Sequence, residues 1–320
     1  MSILCTGSIA IDQIMELPDH FKNHILADKI DRLNVSFYVP SLEKRYGGTA
    51  ANIAFNLRIL GADPILLATV GSDFGDYADW MDAHGLRRDW IKTLDDVYTS
   101  QCFITTDLDH NQIASFHPGA MERAHEATLD SVTESYSVGI VSPNGKQAMV
   151  DYAAGLKAQG KICVIDPGQA LGIFDGEELI SLLDGASIYI ANDYEWSVTL
   201  EKTGLTEEEI AQRVGAIVKT QGAAGSQLIE GSGPAKVRID HPRSEVPVIT
   251  ADEVVDPTGC GDAYRSGILY ALENDLPLET GARIGSLMGS LKVAVAGPQG
   301  LELDPEGFRA AYRQEYGEEF

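Results

Sequence analysis

The sequence predicts an α/β protein, a doubly wound sandwich in which helices cover both faces of a mostly parallel sheet. Short apolar runs recur along the chain, and segments of helical periodicity lie between them. Continuous rather than alternating apolar character indicates strands that are buried on both faces, as in parallel sheets. Strand, helix and strand repeated in this order are typical of a doubly wound fold. The predicted strands are SILCTG (2–7), PILLATVG (64–71), SVGIVS (137–142), KICVID (161–166), SIYIAN (187–192) and SQLIEG (226–231).

Three of the intervening segments fit crossover helices, which we expect at NIAFNLRIL (52–60), GKQAMVDYAAGLKAQ (145–159) and EEEIAQRVGAIVKT (207–220). The sequence has no internal repeat, no low-complexity tract and no Pro-rich or Gly-rich linker that would divide it into independent halves. Any second structural unit is therefore interleaved with the first.

Two segments, 13–46 and 101–118, interrupt the alternation and predict a small β lid beside the main sheet. LNVSFYV (33–39) alternates in polarity, which suits a half-exposed antiparallel strand. QCFITT (101–106) and QIASFHP (112–118) flank DLDHN and are typical of a hairpin. The large domain would then comprise residues 1–12, 47–100 and 119–320.

The composition limits the classes of partner. Of the 320 residues, 44% are hydrophobic and 22% charged, which is ordinary for a globular protein with a core of full domain size. The 48 acidic and 24 basic side chains leave a formal net charge of −24, so nucleic acid and membranes are poor partners. Backbone N–H groups and a few basic side chains can still hold a small anion locally. The acidity is equally compatible with adaptation to salt.

The cysteines and the N-terminus favour a reducing compartment. Cys5, Cys102, Cys163 and Cys260 are widely spaced, so we expect neither a disulfide framework nor a zinc site. The N-terminal residues lack the pattern of a signal peptide, and no apolar run reaches the roughly 18 residues of a membrane span. We therefore expect a cytoplasmic protein.

The strongest chemical signal is DPTGCGDAYRSGILYAL (256–272), in which a Gly-rich turn opens a helix of apolar periodicity. At such a junction the free N–H groups of Gly259, Cys260 and Gly261 converge with the positive end of the helix dipole and form an anion site. Asp262 lies beside that site, where its carboxylate is suited to take a proton from an attacking hydroxyl. A carboxylate that only complements the helix dipole is the alternative interpretation.

Two further motifs predict contacts to substrate hydroxyls. GGTAAN (47–52) is a second Gly-rich helix entrance, where a ligand can approach the backbone. GSIAID (7–12) lies at the end of the first strand and offers side-chain acceptors. A tight turn and simple helix capping would explain these motifs without a ligand. The candidate residues are Ser8, Asp12, Gly47, Gly48 and Asn52.

Two more motifs predict a nucleotide site. NDYE (192–195) follows a predicted strand and opens a helix, so Asn192 and Glu195 share one face and can organise water around Mg²⁺. A capping box is the structural alternative. KTQGAAG (219–225) is a Gly-rich turn between a predicted helix and a predicted strand, which either passes along a nucleotide or simply ends the helix.

The order of these motifs predicts that the sheet brings them to one edge, at the carboxyl ends of its parallel strands, where ligands usually bind. No G-x-x-x-x-G-K-[ST] occurs, and no G-x-G-x-x-G follows the first strand, which argues against a P-loop and a dinucleotide site. A base beside N–H donors is what phosphoryl transfer requires. The sequence therefore predicts transfer of a phosphoryl group to a hydroxyl of a small molecule.

GGTAAN and DPTGCGD together resemble the two signature motifs of the ribokinase-like (PfkB) sugar and nucleoside kinases, over essentially the whole chain. The resemblance implies a ribokinase-like three-layer α/β/α sandwich with a mostly parallel sheet and a small β-sheet lid, with ATP and Mg²⁺ bound. It makes Asp262 the catalytic base. The other implied residues are Gly259, Cys260 and Gly261 in the anion hole, Asn192 and Glu195 at phosphate and water-bound Mg²⁺, and Thr220, Gly222 and Gly225 along ATP.

Three stretches resemble the bacterial adenosine kinases of this family, namely LNVSFYVP (33–40), QCFITTDLDHNQIASFHPGAM (101–121) and DPGQAL (166–171). That resemblance implies that Phe103 and Phe116 stack on the purine, each stack contributing roughly 1–3 kcal/mol, and that Gln169 contacts the nucleoside. A lid-core role for both phenylalanines is the alternative. The ribose would be held by Ser8, Asp12, Gly48 and Asn52, with Gly47 in the same turn.

The activity expected from these resemblances is transfer of the ATP γ-phosphoryl group to the 5′-hydroxyl of adenosine. A ribokinase-like sugar kinase and a catalytically silent nucleoside-binding protein are the alternatives. The second motif departs from the commoner D-T-x-G-A-G-D at Pro257 and Cys260, and Cys260 has either a lowered thiol pKa or a role as a small residue. Lids of this family often pair between subunits, which implies a homodimer through 13–46 and 101–118.

Overall fold

Strands and helices alternate along most of the chain in the computed structural model, which describes residues 2–25, 32 and 34–320. In chain order they are β1 Ser2–Thr6, β2 Ala10–Glu16, β3 Ser41–Gly47, α1 Thr49–Ile59, β4 Ile65–Gly71, α2 Gly75–Ala83, β5 Ile91–Leu94, β6 Ser100–Thr106, β7 Gln112–His117, β8 Tyr136–Val141, α3 Lys146–Ala158, β9 Ile162–Ile165, α4 Gly176–Leu183, β10 Ile188–Asn192, α5 Asp193–Thr203, α6 Glu207–Ala211, β11 Ala216–Thr220, β12 Ser226–Glu230, β13 Arg243–Val246, α7 Cys260–Glu273, α8 Leu278–Val293 and α9 Pro305–Tyr316.

The main sheet has nine strands in the order β13-β12-β11-β10-β9-β8-β1-β4-β5. Pairing is parallel from β11 to β5, and β12 and β13 add an antiparallel edge. All six strands expected from the apolar runs belong to it. The prediction of a mostly parallel, doubly wound sheet is therefore confirmed.

Helices cover both faces of this sheet, which gives three layers. Successive strand residues point to opposite faces, so Ile3 and Cys5 pack in one buried cluster and Leu4 in the other. Helices α1, α2, α7, α8 and α9 contribute to the first cluster, and α3, α4, α5 and α6 to the second. The main sheet is thus buried on both sides, as its continuous apolar runs predicted.

A second sheet of four strands, in the order β3-β2-β6-β7, forms the small β sheet expected beside the main one. These four strands are called the lid sheet below. The predicted hairpin is β6 and β7, which pair antiparallel from Gln101–His117 to Thr106–Gln112. The four strands span 10–16, 41–47, 100–106 and 112–117, so the proposed lid segments 13–46 and 101–118 share strand residues with the proposed large domain. Residues 26–31 and 33, which fall within the first lid segment, lie outside the described residues.

The strand expected at LNVSFYV is wrong for 34–39, and Leu33 lies outside the described residues. The partner of β2 is instead β3, in unbroken register from Ala10–Gly47 to Glu16–Ser41. The alternation in the predicted strand has another cause, because Phe37 packs on the Phe21 ring at a centroid distance of 5.2 Å. Residues 34–39 therefore alternate in burial although they pair with no strand.

The helix expected at 207–220 is correct for 207–211 and wrong for 212–220. Helix α6 ends at Ala211, and β11 begins at Ala216 as an interior strand paired with β10 and β12. The β-branched residues of β11 favour a buried strand, which the apolar spacing of the whole segment concealed. The KTQGAAG turn consequently joins two antiparallel strands rather than a helix and a strand.

Helices α7 and α8 approach each other very closely, and this contact fixes the helix that carries Asp262. A Cβ atom on Gly267 of α7 would lie 2.3 Å from the backbone nitrogen of Gly285 on α8. Only glycine permits this approach.

No helix in the described part of the chain is both long and apolar enough to cross a membrane.

Candidate active site

The candidate residues converge at the carboxyl edge of the main sheet, as the sheet order requires. The residues after β1, β9, β10 and β11 meet the first turns of α1 and α7 there, and β2 and β3 of the lid sheet lie beside them. The site is therefore assembled from chain segments that are far apart in sequence, which is usual for this architecture.

Helix α7 begins at the Gly-rich turn. Gly259 is its N-cap, with a left-handed φ of 82°, and a Cβ there would lie 2.7 Å from Cβ of Pro298. The Cys260 N–H donates to the Pro257 carbonyl at 3.2 Å. The N–H groups of Gly259 and Gly261 have no hydrogen-bond acceptor among the described residues. The anion site expected from three N–H groups thus has two, together with the helix dipole.

Cys260 packs as a small residue. Its Sγ lies 3.7 Å from the Gly289 carbonyl oxygen, in the contact between α7 and α8. Burial raises the pKa of this thiol above its usual range. The alternative that the helix N-terminus lowers the pKa of Cys260 is therefore wrong, because desolvation of the thiolate outweighs the nearby positive charge.

A chain of hydrogen bonds orients Asp262. Nδ2 of Asn52 donates to Oδ2 of Asp262 at 2.8 Å. Nε2 of Gln299 donates to Oδ1 of Asn52 at 2.8 Å and to the Tyr77 hydroxyl at 2.9 Å. That hydroxyl in turn donates to the Gly47 carbonyl at 2.9 Å. Because Gln299 fixes the amide of Asn52, the donor side of Asn52 faces the carboxylate.

The Asp262 carboxyl titrates near neutral pH. Desolvation raises its pKa from 3.8 to about 7, and the nearby carboxylates of Asp166 and Glu195 act in the same direction. Arg265 and the hydrogen bond from Asn52 lower the pKa and moderate the rise. A carboxylate with such a pKa is a much stronger base than an exposed aspartate.

Asp166 and Arg265 form a buried ion pair behind Asp262. Both guanidinium Nε and Nη2 donate to the carboxylate, the latter at 2.7 Å, and the two residues are 1% and 7% exposed. Arg265 lies one helical turn after Asp262 on α7, so its charge acts on the Asp262 carboxylate. Arg265 lowers the pKa of Asp262 and Asp166 raises it, so the two members of the pair partly cancel and burial has the largest effect.

Asn192 and Glu195 form the capping box that was the structural alternative for NDYE. Asn192 Oδ1 accepts from the Glu195 N–H, and Glu195 Oε2 accepts from the Asn192 N–H, both at 2.8 Å. Glu195 is also half-buried, and burial followed by repulsion from Asp166 raises its carboxyl pKa. A desolvated carboxylate with one oxygen engaged fits a magnesium ion held through water, since Mg²⁺ prefers oxygen ligands and keeps several waters.

The residues expected to hold the ribose lie around the start of α1. Gly48 is the N-cap with φ 95°, and a Cβ there would lie 2.5 Å from the Ser8 carbonyl oxygen. Ser8 is buried, and its Oγ accepts a hydrogen bond from the Thr49 N–H at 3.0 Å. Asp12 lies on β2 of the lid sheet, and a Cβ on Gly47 would lie 3.3 Å from its Oδ2. Asp12 and Gly47 are thus adjacent, whereas Ser8 is engaged in capping.

The two lid phenylalanines lie on opposite faces of the lid sheet. Phe116 pairs with Cys102, which pairs with Asp12, so these three residues share a face. Phe103 pairs with Gln13 and therefore points to the other face. The candidate site lies on the Asp12 side, because Arg45, which pairs with Asp12, donates to the Asp256 carboxylate at 3.0 Å, directly before the Gly-rich turn of α7. The expectation that both phenylalanines of one chain stack on the same ligand is therefore wrong. Of the two, Phe116 shares the face of Asp12 and Phe103 does not.

The remaining candidates lie at the ends of strands. Gln169 is exposed and follows Asp166 by three residues, after β9. Thr220 ends β11, opposite Asn192 in register. Gly222 and Gly225 flank the single 3₁₀ turn between β11 and β12, both with positive φ. These residues share the carboxyl edge, although no hydrogen bond joins them to Asp262.

The sequence and the fold are similar to those of known proteins. Residues 2–304 match the model of the pfkB family carbohydrate kinases. A nucleoside kinase of Methanocaldococcus jannaschii is 29% identical over 93% of this chain and 92% of its own length. The structure of Burkholderia thailandensis nucleoside kinase in complex with inosine has a TM-score of 0.87, with 38% identity and 100% coverage of both chains. The same enzyme in complex with ADP-inosine has a TM-score of 0.84 with 39% identity, and covers 99% of this chain and 97% of its own.

A three-layer sandwich with a β lid and these neighbours defines the class of ribokinase-like phosphotransferases. The chain belongs to the pfkB family of carbohydrate kinases. It is a phosphotransferase with an alcohol group as acceptor, and the kinase predicted from the sequence is confirmed at this level.

Sequence reasoning missed four residues of the site: Tyr77, Asp166, Arg265 and Gln299. Two of them left a signal. Asp166 ends a buried strand at the ligand edge, and Arg265 is a charge within an otherwise apolar helical pattern. Tyr77 and Gln299 left none, because their role exists only through contacts between distant segments.

The pH dependence of the reaction tests the state of Asp262. A base must be deprotonated, so kcat/KM for the acceptor should fall about tenfold per pH unit below an apparent pKa of about 7 and level off above it. Asn52→Ala removes a donor that lowers this pKa, so its acidic limb should move to higher pH. The measurement is a pH profile of both proteins at saturating phosphoryl donor, and an acidic limb near pH 4 would contradict this assignment.

Proposed function

We propose that this chain transfers the γ-phosphoryl group of ATP to the 5′-hydroxyl of a purine nucleoside, with adenosine preferred, as in purine salvage. The observation that carries the proposal is the carboxylate of Asp262 at the N-terminus of α7. Its pKa is raised to about 7, and Asn52 donates to it at 2.8 Å. An oriented carboxylate of this basicity beside free helix N–H groups is suited to deprotonating a hydroxyl that attacks a phosphate.

In the proposed reaction, Asp262 takes the proton of the 5′-hydroxyl while the hydroxyl oxygen forms a bond to the γ-phosphorus. The bond between that phosphorus and the bridging oxygen breaks, and ADP leaves with the electron pair. The N–H groups of Gly259 and Gly261 hold the negative charge spread over the transferring oxygens. Arg265 remains paired with Asp166 and stabilises the ionised base.

The nucleotide is proposed to lie along the other half of the same edge, against Asn192, Thr220, Gly222 and Gly225. Mg²⁺ would be held through water by Glu195 and would offset the charge of the phosphates. Support for a nucleotide comes from the Burkholderia thailandensis relative, which is described in complex with ADP-inosine.

The acceptor is proposed to be a nucleoside because two nucleoside kinases match 93% of this chain and more than 90% of their own length, and one similar structure is described in complex with inosine. Phe116 is half exposed, at 52%, on the face of the lid that also carries Asp12. A flat purine can stack on such a ring, whereas a sugar has no π-face. Asp12, Gly48 and Asn52 would then hold the ribose, with Gln169 against the base.

Two alternatives make different predictions. A sugar kinase of this family would phosphorylate ribose or fructose and gain nothing from Phe116. A silent nucleoside-binding protein would bind the nucleoside without consuming ATP, and the oriented carboxylate of Asp262 speaks against it. A panel of adenosine, inosine, ribose and fructose at equal concentrations distinguishes all three.

The opposite face of the lid is proposed to join two copies of this chain. Phe103, Ile113 and Leu42 lie on that face, and they are 42%, 40% and 67% exposed. Exposed apolar side chains on one face of a sheet are typical of an interface. The two phenylalanines then have separate roles, Phe116 toward the acceptor and Phe103 toward the second subunit.

Replacing Asp262 by Asn should lower turnover by roughly 10²–10⁴-fold, because the amide cannot accept the proton. Binding of nucleotide and acceptor should remain nearly intact. The measurement combines kcat with affinities from calorimetry, and Asp79→Asn, an exposed substitution on α2, is the matched control. Retention of more than about a tenth of the turnover would refute the role of Asp262.

Replacing Phe116 by Ala should weaken adenosine binding by about 1–3 kcal/mol, roughly 5- to 150-fold, because the lost contact is to the base. Any weak phosphorylation of ribose should be unchanged. Phe103→Ala is the matched control, since it removes the same side chain from the other face and should leave adenosine affinity unchanged. Equal losses with adenosine and ribose, together with a lower Tm, would indicate a core role for Phe116.

The proposed dimer is tested by light scattering at micromolar concentration. The unmodified protein should have the mass of two chains, and Phe103→Asp should convert it to a monomer because a charge would be buried in the interface. Phe116→Ala should remain dimeric. A monomeric unmodified protein would rule out this interface.

A further inference from the structure

Lys292 is a buried basic residue with no role in the reaction proposed above. It lies in the last turn of α8, and its side chain is fully buried, at 0% exposed. Its Nζ donates to the carbonyl oxygen of Asp256 at 2.6 Å and to that of Val295 at 3.3 Å. Burial lowers the pKa of Lys292, and the nearby Asp256 carboxylate opposes that shift. Because burying an ammonium group is costly unless partners compensate, the two carbonyl oxygens also stabilise the charge.

The Asp256 carbonyl belongs to the backbone that leads directly into the Gly-rich turn. The N–H groups of Val255 and Asp256 both donate to the Val293 carbonyl, at 2.8 and 3.0 Å. The Asp256 carboxylate accepts from the N–H groups of Thr258 and Gly297, both at 2.9 Å. Lys292 therefore completes a set of hydrogen bonds that fixes Asp256 through its N–H group, its carboxylate and its carbonyl oxygen.

The segment 292–299 also contacts the other parts of the reaction centre. Pro298 lies against Gly259, where an added Cβ would approach it to 2.7 Å. Gln299 donates to Asn52, the residue that orients the base. One short segment thus supports both the anion site and Asp262.

The charge of Lys292 reaches the start of α7. Burial raises the pKa of the Cys260 thiol, and the positive charge of Lys292 opposes that rise. Cys260 lies between Gly259 and Gly261, whose N–H groups form the anion site. A cation at this place would attract the negative charge that develops on the transferring phosphoryl oxygens.

We propose that Lys292 is a positioning residue whose ammonium group acts as an internal cation, fixing the backbone before the anion site and adding positive charge behind it. This inference rests on the proposed phosphoryl transfer. A lysine that served only to cap the C-terminus of α8 would need the Val295 carbonyl alone, whereas the shorter bond goes to Asp256, 36 positions away in the sequence.

The test compares Lys292→Ala, which leaves space for a small cation, with Lys292→Met, which fills that space with an uncharged chain. Both variants should lose roughly 10²-fold in kcat, as expected for a displaced reaction centre, with the affinities for ATP and adenosine largely retained. Ammonium or methylammonium should restore activity to Lys292→Ala, and tetramethylammonium at the same ionic strength should not. Lys292→Met should respond to none of them.

The matched control is Lys202, whose Nζ donates to the carbonyls of Leu171, Gly172 and Phe174 at 2.6–3.4 Å, away from the Gly-rich turn. Lys202→Ala removes an equivalent ammonium group and should lower Tm without changing kcat by more than about twofold. If Lys292→Ala resembles Lys202→Ala, or loses activity that no small cation restores, Lys292 is a structural cap and the inference is wrong.

The inference and the proposed function fail in different ways. If Asp262→Asn keeps its turnover, the proposed reaction is wrong whatever the Lys292 variants do. If Asp262→Asn is inactive while Lys292→Ala and Lys292→Met are fully active in every salt, only the role of Lys292 is wrong.

Discussion

One hydrogen bond, from Asn52 Nδ2 to Asp262 Oδ2 at 2.8 Å, connects the two Gly-rich helix entrances on which the site depends. It joins α1, which begins next to the lid, to α7, which carries the proposed base Asp262. Without this donor the Asp262 carboxylate would be desolvated with too little compensation and would titrate at a still higher pH. The close contact of α7 with α8, and the links from Gln299 to Asn52 and Tyr77, hold the geometry of that one bond.

The basic side chains around this bond offset the carboxylates of the site, in a protein whose net charge is −24. Three basic side chains, those of Arg45, Arg265 and Lys292, are gathered at the site, and each is paired locally. Arg265 binds the Asp166 carboxylate, Arg45 binds that of Asp256 at 3.0 Å, and Lys292 binds the Asp256 carbonyl. These cations thus mainly offset carboxylates in the walls of the site, which also contain Asp12, Glu195 and Asp262. Binding of phosphate would therefore depend on the N–H groups at the start of α7.

The two proposed roles of the lid sheet, contact with the acceptor and contact with a second subunit, fall on its opposite faces. Because side chains alternate between the faces, Asp12 and Phe116 lie on one face, and Phe103 and Ile113 on the other. A shift of register by one residue would exchange the two sets. The unbroken register of β2 with β3 and β6 therefore keeps Phe116, the ring proposed to contact the acceptor, on the opposite face from the proposed subunit contact.

The sequence by itself determined the main sheet, the Gly-rich turns and Asp262, because those features depend on local chemistry: continuous apolar runs make buried parallel strands, and glycines open helices at anion sites. It also determined the family, since two motifs in order along one chain are specific. It misassigned 212–220 and 34–39, where apolar spacing alone does not distinguish a helix or an unpaired segment from a strand. Only the tertiary structure decided that Phe103 and Phe116 diverge and that Ser8 is engaged in capping. It also decided that Asp166, Arg265, Tyr77 and Gln299 lie in the contacts around Asp262 and Asn52, and that Lys292 binds the Asp256 carbonyl before the Gly-rich turn. The physical reason is that burial, and therefore the pKa of Asp262 and the pairing of each charge, is a property of segments brought together from distant parts of the chain.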